Sequence, residues 1–129
     1  MLTIKIFTLY PDLFPGPLNI GIYKKARENK IWDLKVINIR KYSKDKHGSV
    51  DDTPFGGGSG MLLRPDVVAS AIDTNVEKNE KIIYLSPKGK RLDQKEARSL
   101  SKLNKVNILC GHFEGIDQRL LETRNIEEY

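Results

Sequence analysis

Short apolar runs alternate with amphipathic stretches along this chain. Residues 2–9 carry Ile4, Ile6 and Phe7 and are closed by Pro11, which predicts a short buried strand, parallel and central in its sheet. Residues 10–17 are rich in turn formers. Residues 18–29 place Ile22, Tyr23 and Ala26 at helical spacing, with Lys24, Lys25, Arg27 and Glu28 toward water. Residues 32–39 alternate, Leu34 and Val36 on one side and Ile37 and Ile39 on the other, as in a strand covered on both faces. Residues 40–48 are charged and aperiodic and read as a surface loop. Pro65 suits the first turn of a helix over 65–72. A strand over 81–85 follows, then a turn over 86–91. Asp93 is placed to cap the next helix, with Glu96 three residues on and Ala97, Leu100 and Leu103 as its inner stripe. A strand over 106–110, a loop over 111–115 and a helix over 116–123 with Leu120 inward complete the pattern, and residues 125–129 trail off.

Strand, helix, strand, loop, helix, strand, helix, strand, helix is the order of an α/β domain, with a mostly parallel sheet flanked by helices. Ligands of such sheets sit beyond the carboxyl ends of the strands. Two loops fall there, residues 86–89 after Leu85 and residues 110–115 after Leu109. A third loop stands out by composition. In residues 50–61, three consecutive glycines are followed by Ser59 and Gly60, and Asp51 and Asp52 precede them. Such a run is too costly in backbone entropy for a helix or a strand interior and suits bare main chain brought close to a ligand.

Composition narrows the possibilities. The chain has 129 residues, 39% hydrophobic and 30% charged, enough for one modest core. Its net charge of +5 is compatible with a nucleic-acid partner. A single cysteine and two histidines exclude an internal disulfide, a multi-cysteine zinc site and a His-rich metal centre, and point to the reducing cytoplasm. No run approaches the ~20 apolar residues of a membrane span.

The chemistry of the loops excludes some familiar motifs. No lysine follows Gly60 as a P-loop requires, and the glycine run does not follow the first strand as a dinucleotide fingerprint does. Cys110 has no placed base and reads as an inert thiol at a strand end; His112 reads as a loop side chain. Asp117 reads as the cap of the final helix. Glu114 can accept hydrogen bonds from an amine or hydroxyl, and Phe113 either stacks on a planar ligand or fills the core.

Four stretches carry a family resemblance: residues 7–11, residues 47–61, residues 84–89 with 92–94, and residues 110–119. In order and spacing they resemble the bacterial tRNA (guanine-N1)-methyltransferases, knotted enzymes of the SPOUT class. The resemblance implies S-adenosylmethionine as methyl donor, tRNA as acceptor at guanine 37, and a homodimer. It implies a donor pocket in which Tyr84, Leu85, Ser86 and Pro87 cover the adenine and Gly111, Phe113, Glu114 and Gly115 form a wall. Gly58, Ser59 and Gly60 would lie near the methionine moiety, and Asp51 and Asp52 near the guanine. Two residues depart from the family pattern: Ser59 stands where proline is common and Phe113 where tyrosine is common. The resemblance further implies a truncated donor-binding domain with an incomplete trefoil knot. A third pocket loop, the proton-accepting aspartate and a helical tRNA-binding domain would lie beyond Tyr129, leaving this polypeptide alone with weak or no activity. The alternative expectation is a non-catalytic RNA-binding or partner-completing module, with residues 40–46 and 88–91 as its cationic contacts.

Overall fold

Five parallel strands organise the molecule, described here by a computed structural model over residues 1–44, 51–52, 62–111 and 115–129. The elements in chain order are β1 (Leu2–Thr8), α1 (Gly21–Glu28), β2 (Trp32–Asn38), β3 (Asp51–Asp52), β4 (Leu62–Leu63), α2 (Pro65–Asn75), β5 (Lys81–Tyr84), α3 (Gln94–Ser101), β6 (Lys105–Leu109), α4 (Gln118–Thr123) and β7 (Glu127–Glu128). The main sheet runs β2-β1-β6-β5-β7 with every neighbouring pair parallel. As its apolar run predicts, β1 lies inside the sheet, between β2 and β6.

Successive side chains of a strand point to opposite faces. Phe7, Ile82 and Leu109 therefore share one face and pack with Val67, Val68, Ala71 and Ile72 of α2 and Leu120 and Leu121 of α4. Each fully buried side chain of this size contributes about 1.5–3 kcal/mol. Ile83, Val106 and Tyr129 share the other face, where Leu100 of α3 leans on them.

Two helices cover less than their sequence predicts. Ile20 is extended and Gly21 has φ +59°, so residues 18–29 split into a 3-10 turn at Gly16–Asn19 and the shorter α1. Ile22 and Tyr23 are then 77% and 54% exposed. Helix α3 ends at Ser101, leaving Ala97 and Leu103 exposed and only Leu100 half-buried. Beside it runs an open apolar groove of about 230 Å³ lined by Leu2, Ile4, Ile83, Leu92, Val106 and Ile108, among others. The capping box of α3 is half formed. Asp93 accepts from the Glu96 amide at 2.9 Å, while the Glu96 carboxylate turns to Lys90 and the Tyr129 hydroxyl.

Residues 125–129 do not trail off. Asn125, at φ +54°, turns the chain, Ile126 enters the core and β7 pairs with β5. Lys5, a charge within the apolar run of β1, is also held in place. Its Nζ donates to the Asn75 carbonyl at 2.6 Å and lies 3.4 Å from Glu80 Oε1. Asn107, its register partner on β6, is fully buried and donates to Glu80 Oε1 and the Lys81 carbonyl. A polar knot thus sits against the sheet at the end away from the loops that follow β5 and β6.

Candidate functional site

The parallel register sets the site. Tyr84, the last residue of β5, stands opposite Leu109 of β6 and Glu128 of β7. The loops beginning at Leu85 and Cys110 therefore leave neighbouring strands at the same level. Tyr84 ties them together. A Cβ added to Gly111 would lie 2.6 Å from Cε1 and 3.0 Å from the phenolic oxygen of Tyr84; one added to Gly115 would lie 3.5 Å from the same oxygen. Gly115 also has φ +125°, which side-chain-bearing residues rarely adopt. Burial first, and then the Glu128 carboxylate, push the Tyr84 phenol above its ordinary pKa, so it remains a neutral donor.

The loop after β5 is braced by β7. The Ser86 amide donates to the Tyr129 carbonyl at 2.8 Å, and the Tyr129 amide to the Tyr84 carbonyl at 3.0 Å. Ser86 Oγ donates to Glu128 Oε2 at 2.5 Å and accepts from the Lys88 amide at 3.2 Å. The Gly89 amide closes the turn on the Ser86 carbonyl at 3.2 Å. Gly89 lies so close to β7 that a Cβ would stand 2.5 Å from the Tyr129 backbone nitrogen. Leu85 and Pro87 remain exposed at the rim. Sequence reasoning missed Glu128 and Tyr129 as parts of this site. The apolar spacing of Ile126 and Tyr129 around two glutamates was the only signal, too short to distinguish a strand from a tail.

Cys110 is anchored through its amide to the Phe7 carbonyl at 2.9 Å, and burial raises its thiol pKa, as expected of an inert cysteine. Asp117 caps α4, accepting from the Arg119 amide at 2.8 Å. The Arg119 guanidinium and amide hold its carboxyl below the ordinary range. Asp51 and Asp52 form β3, antiparallel to β4, with Asp51 opposite Leu63 and Asp52 opposite Leu62. This pairing joins the two ends of the glycine-rich stretch. Gly58, Ser59 and Gly60, and likewise His112, Phe113 and Glu114, lie outside the described residues. Of the expected pocket segments, residues 84–87, Gly111 and Gly115 are thus brought together. Among the described residues no cluster of His, Cys, Asp or Glu could hold a metal ion.

The tRNA (guanine-1)-methyltransferase TrmD family profile matches residues 2–129. The chain belongs to this family. The tRNA (guanine-N(1)-)-methyltransferase of Pelagibacter ubique is 65% identical over 124 residues, 96% of this chain and 54% of that protein. Its counterpart from Wolbachia pipientis wMel is 50% identical over 92% of this chain and 51% of that protein. The crystal structure of the tRNA (m1G37) methyltransferase from Aquifex aeolicus superposes with a TM-score of 0.84 at 31% identity, covering 98% of this chain and 58% of that one. The fold is therefore the α/β fold of SPOUT methyltransferases. The chain spans about half the length of the curated relatives it matches. Within this methyltransferase family member, the Tyr84-linked loops are the most organised candidate site among the described residues.

Proposed function

We propose that this chain supplies the methyl-donor pocket of a cytoplasmic tRNA guanine-N1 methyltransferase acting at guanine 37. One observation carries the reading: in a member of this family, Tyr84 seats on the bare backbone of Gly111 and Gly115 where two loops leave adjacent parallel strands. That is main chain kept free of Cβ atoms beside a strand-end crevice, where such sheets bind ligands. It suits a donor recognised largely through backbone amides and carbonyls. S-adenosylmethionine would bring a methyl group activated by its sulfonium. Residues 84–87 would hold its adenine side and Gly111, Phe113, Glu114 and Gly115 its wall, with Glu114 toward its charged end. Gly58, Ser59 and Gly60 would line the methionine side, and Asp51 and Asp52 the guanine side. Ser86, fixed by Glu128 and Tyr129, keeps the covering loop in place before anything binds, which lowers the ordering cost of binding.

The test is twofold, on the intact protein. Calorimetry should show S-adenosylmethionine binding, and radiolabelled methyl should enter a tRNA transcript with guanine at position 37 but not one with adenine there. RNA binding without donor binding would instead establish a non-catalytic module.

A homodimer is part of the same proposal. It is supported by Leu13, Ile20, Ile22 and Tyr23, apolar side chains all more than half exposed along α1 and the turns before it. Ile22→Glu should halve the sedimentation mass of the intact protein and remove the concentration dependence of its melting temperature, while the protomer keeps its secondary structure because Ile22 packs in no core. A wild-type monomer would refute the dimer.

A further inference from the structure

The whole net charge of the chain resides in one segment. From Lys88 to Lys105 there are seven Lys and Arg against two acids, a local excess equal to the total of +5. The rest of the chain holds fifteen of each sign. The two acids of the segment are engaged elsewhere: Asp93 caps α3, and Glu96 meets Lys90 and the Tyr129 hydroxyl. Lys95 and Arg98 of α3 and Lys102 at its C-terminal cap, still in helical conformation, fall at i, i+3 and i+7 on one side and are exposed. Ala97, Leu100 and Ser101, on its other side, line the apolar groove. None of the three cations forms a salt bridge among the described residues. By contrast, Arg40 donates to the Leu9 carbonyl and lies over the Tyr10 ring, so its charge is committed to holding local structure.

We propose that this face of α3 is a phosphate-tracking surface, along which the RNA substrate runs from the pocket mouth at Lys88 toward the amino-terminal end of β6. The inference rests on the proposed tRNA reading and extends it to a docking path. Lys95 to Lys102 spans about 10 Å, the reach of roughly three successive phosphates of a stacked strand. A row of like charges at that spacing, with no acid interleaved, matches a polyanion and gives no sequence readout. A membrane surface fits less well. An interfacial helix needs a broad free apolar face beside its basic one, and the apolar side of α3 offers only Ala97 and Leu100, with Leu100 leaning on the sheet.

The experiment compares the intact wild-type protein with the triple variant Lys95→Glu/Arg98→Glu/Lys102→Glu and its milder form Lys95→Gln/Arg98→Gln/Lys102→Gln. tRNA affinity is measured by anisotropy across a salt series. Removing one cation from a phosphate should reduce the slope of log affinity against log salt by about 0.7–0.9. The glutamine form should therefore drop by about 2 in slope and tenfold or more in affinity at physiological salt, the glutamate form more. S-adenosylmethionine affinity and melting temperature should be unchanged in the glutamine form. An unchanged slope in both variants overturns the proposal, as does wild-type binding to phosphatidylserine vesicles that the variants lose while keeping tRNA. If wild type methylates tRNA normally and the slopes do not move, the docking path fails and the enzyme reading stands. If the slopes move but no donor binds, the surface stands and the enzyme reading fails.

Discussion

Replacing Glu80 with leucine should cost about 3 kcal/mol, the lower end of what breaking a buried ion pair costs, because Lys5 keeps its bond to the Asn75 carbonyl. In a domain of this size that lowers the unfolding midpoint by about 10 °C. The side chains of Lys5 and Glu80 are only 13% and 8% exposed, so the ammonium left behind has little water to turn to. The Asn107 amide also loses an acceptor in a residue whose Oδ1 already lacks a partner among the described residues. Removing both charges, as Lys5→Met/Glu80→Leu, should recover much of the loss, since the penalty lies in the orphaned charge more than in the missing attraction. Acid should reveal the same pair. Burial acts to raise the Glu80 pKa, but the Glu77 amide, Asn107 and Lys5 outweigh it and leave it below the ordinary glutamate value. A depressed folded-state pKa contributes stability above the unfolded value and loses it as pH falls through the folded one. Glu80→Gln should therefore flatten the acid limb of the stability–pH curve below about pH 4.5. Differential scanning calorimetry from pH 3 to 7 measures both effects. A midpoint within 2 °C of wild type for Glu80→Leu at neutral pH would show that the knot contributes little.

That knot marks where sequence reading stops. The apolar runs of β1, β5 and β6 announce their own burial, and parallel pairing follows from their alternation with helices. A lysine inside β1 and an asparagine inside β6 look like polar intrusions until the register sets them side by side. Only then does Glu80, contributed from outside both strands, become their common partner. Local amphipathicity misled in the other direction. Ile22 and Ala97 sit at helical spacing, yet spacing gives only the existence of an apolar stripe and not what covers it. The candidate site shows the same division. Turn-forming composition and strand ends located residues 86–89 and 110–115, because both properties are local. Their convergence through Tyr84, and the bracing by Glu128 and Tyr129, depend on strand order, in which β7 lies beyond β5 although it follows β6 in the chain.

Gly89→Ala and Gly111→Ala should separate bracing from binding, because their added methyl groups meet different obstacles. At Gly89 the methyl would stand 2.5 Å from the Tyr129 nitrogen, in main chain bonded to Tyr84 on one side and Ser86 on the other. That backbone cannot swing aside, so β7 must detach or the turn must open. The expected cost is about 3 kcal/mol, at the upper end of overpacking penalties. At Gly111 the obstacle is the edge of the Tyr84 ring, at 2.6 Å, and a ring can rotate. The cost to stability should be about 1 kcal/mol, but the displaced phenol leaves its seat between the loops. If those loops hold the donor, S-adenosylmethionine affinity should fall at least tenfold in Gly111→Ala, about 1.4 kcal/mol of binding. In Gly89→Ala the affinity loss should track the lost stability and recover on cooling toward full folding. Paired calorimetric titrations and melts distinguish the two. Equal affinity for wild type and Gly111→Ala, with the ring shown to have moved, would mean that the crevice beside Tyr84 is not where the donor sits.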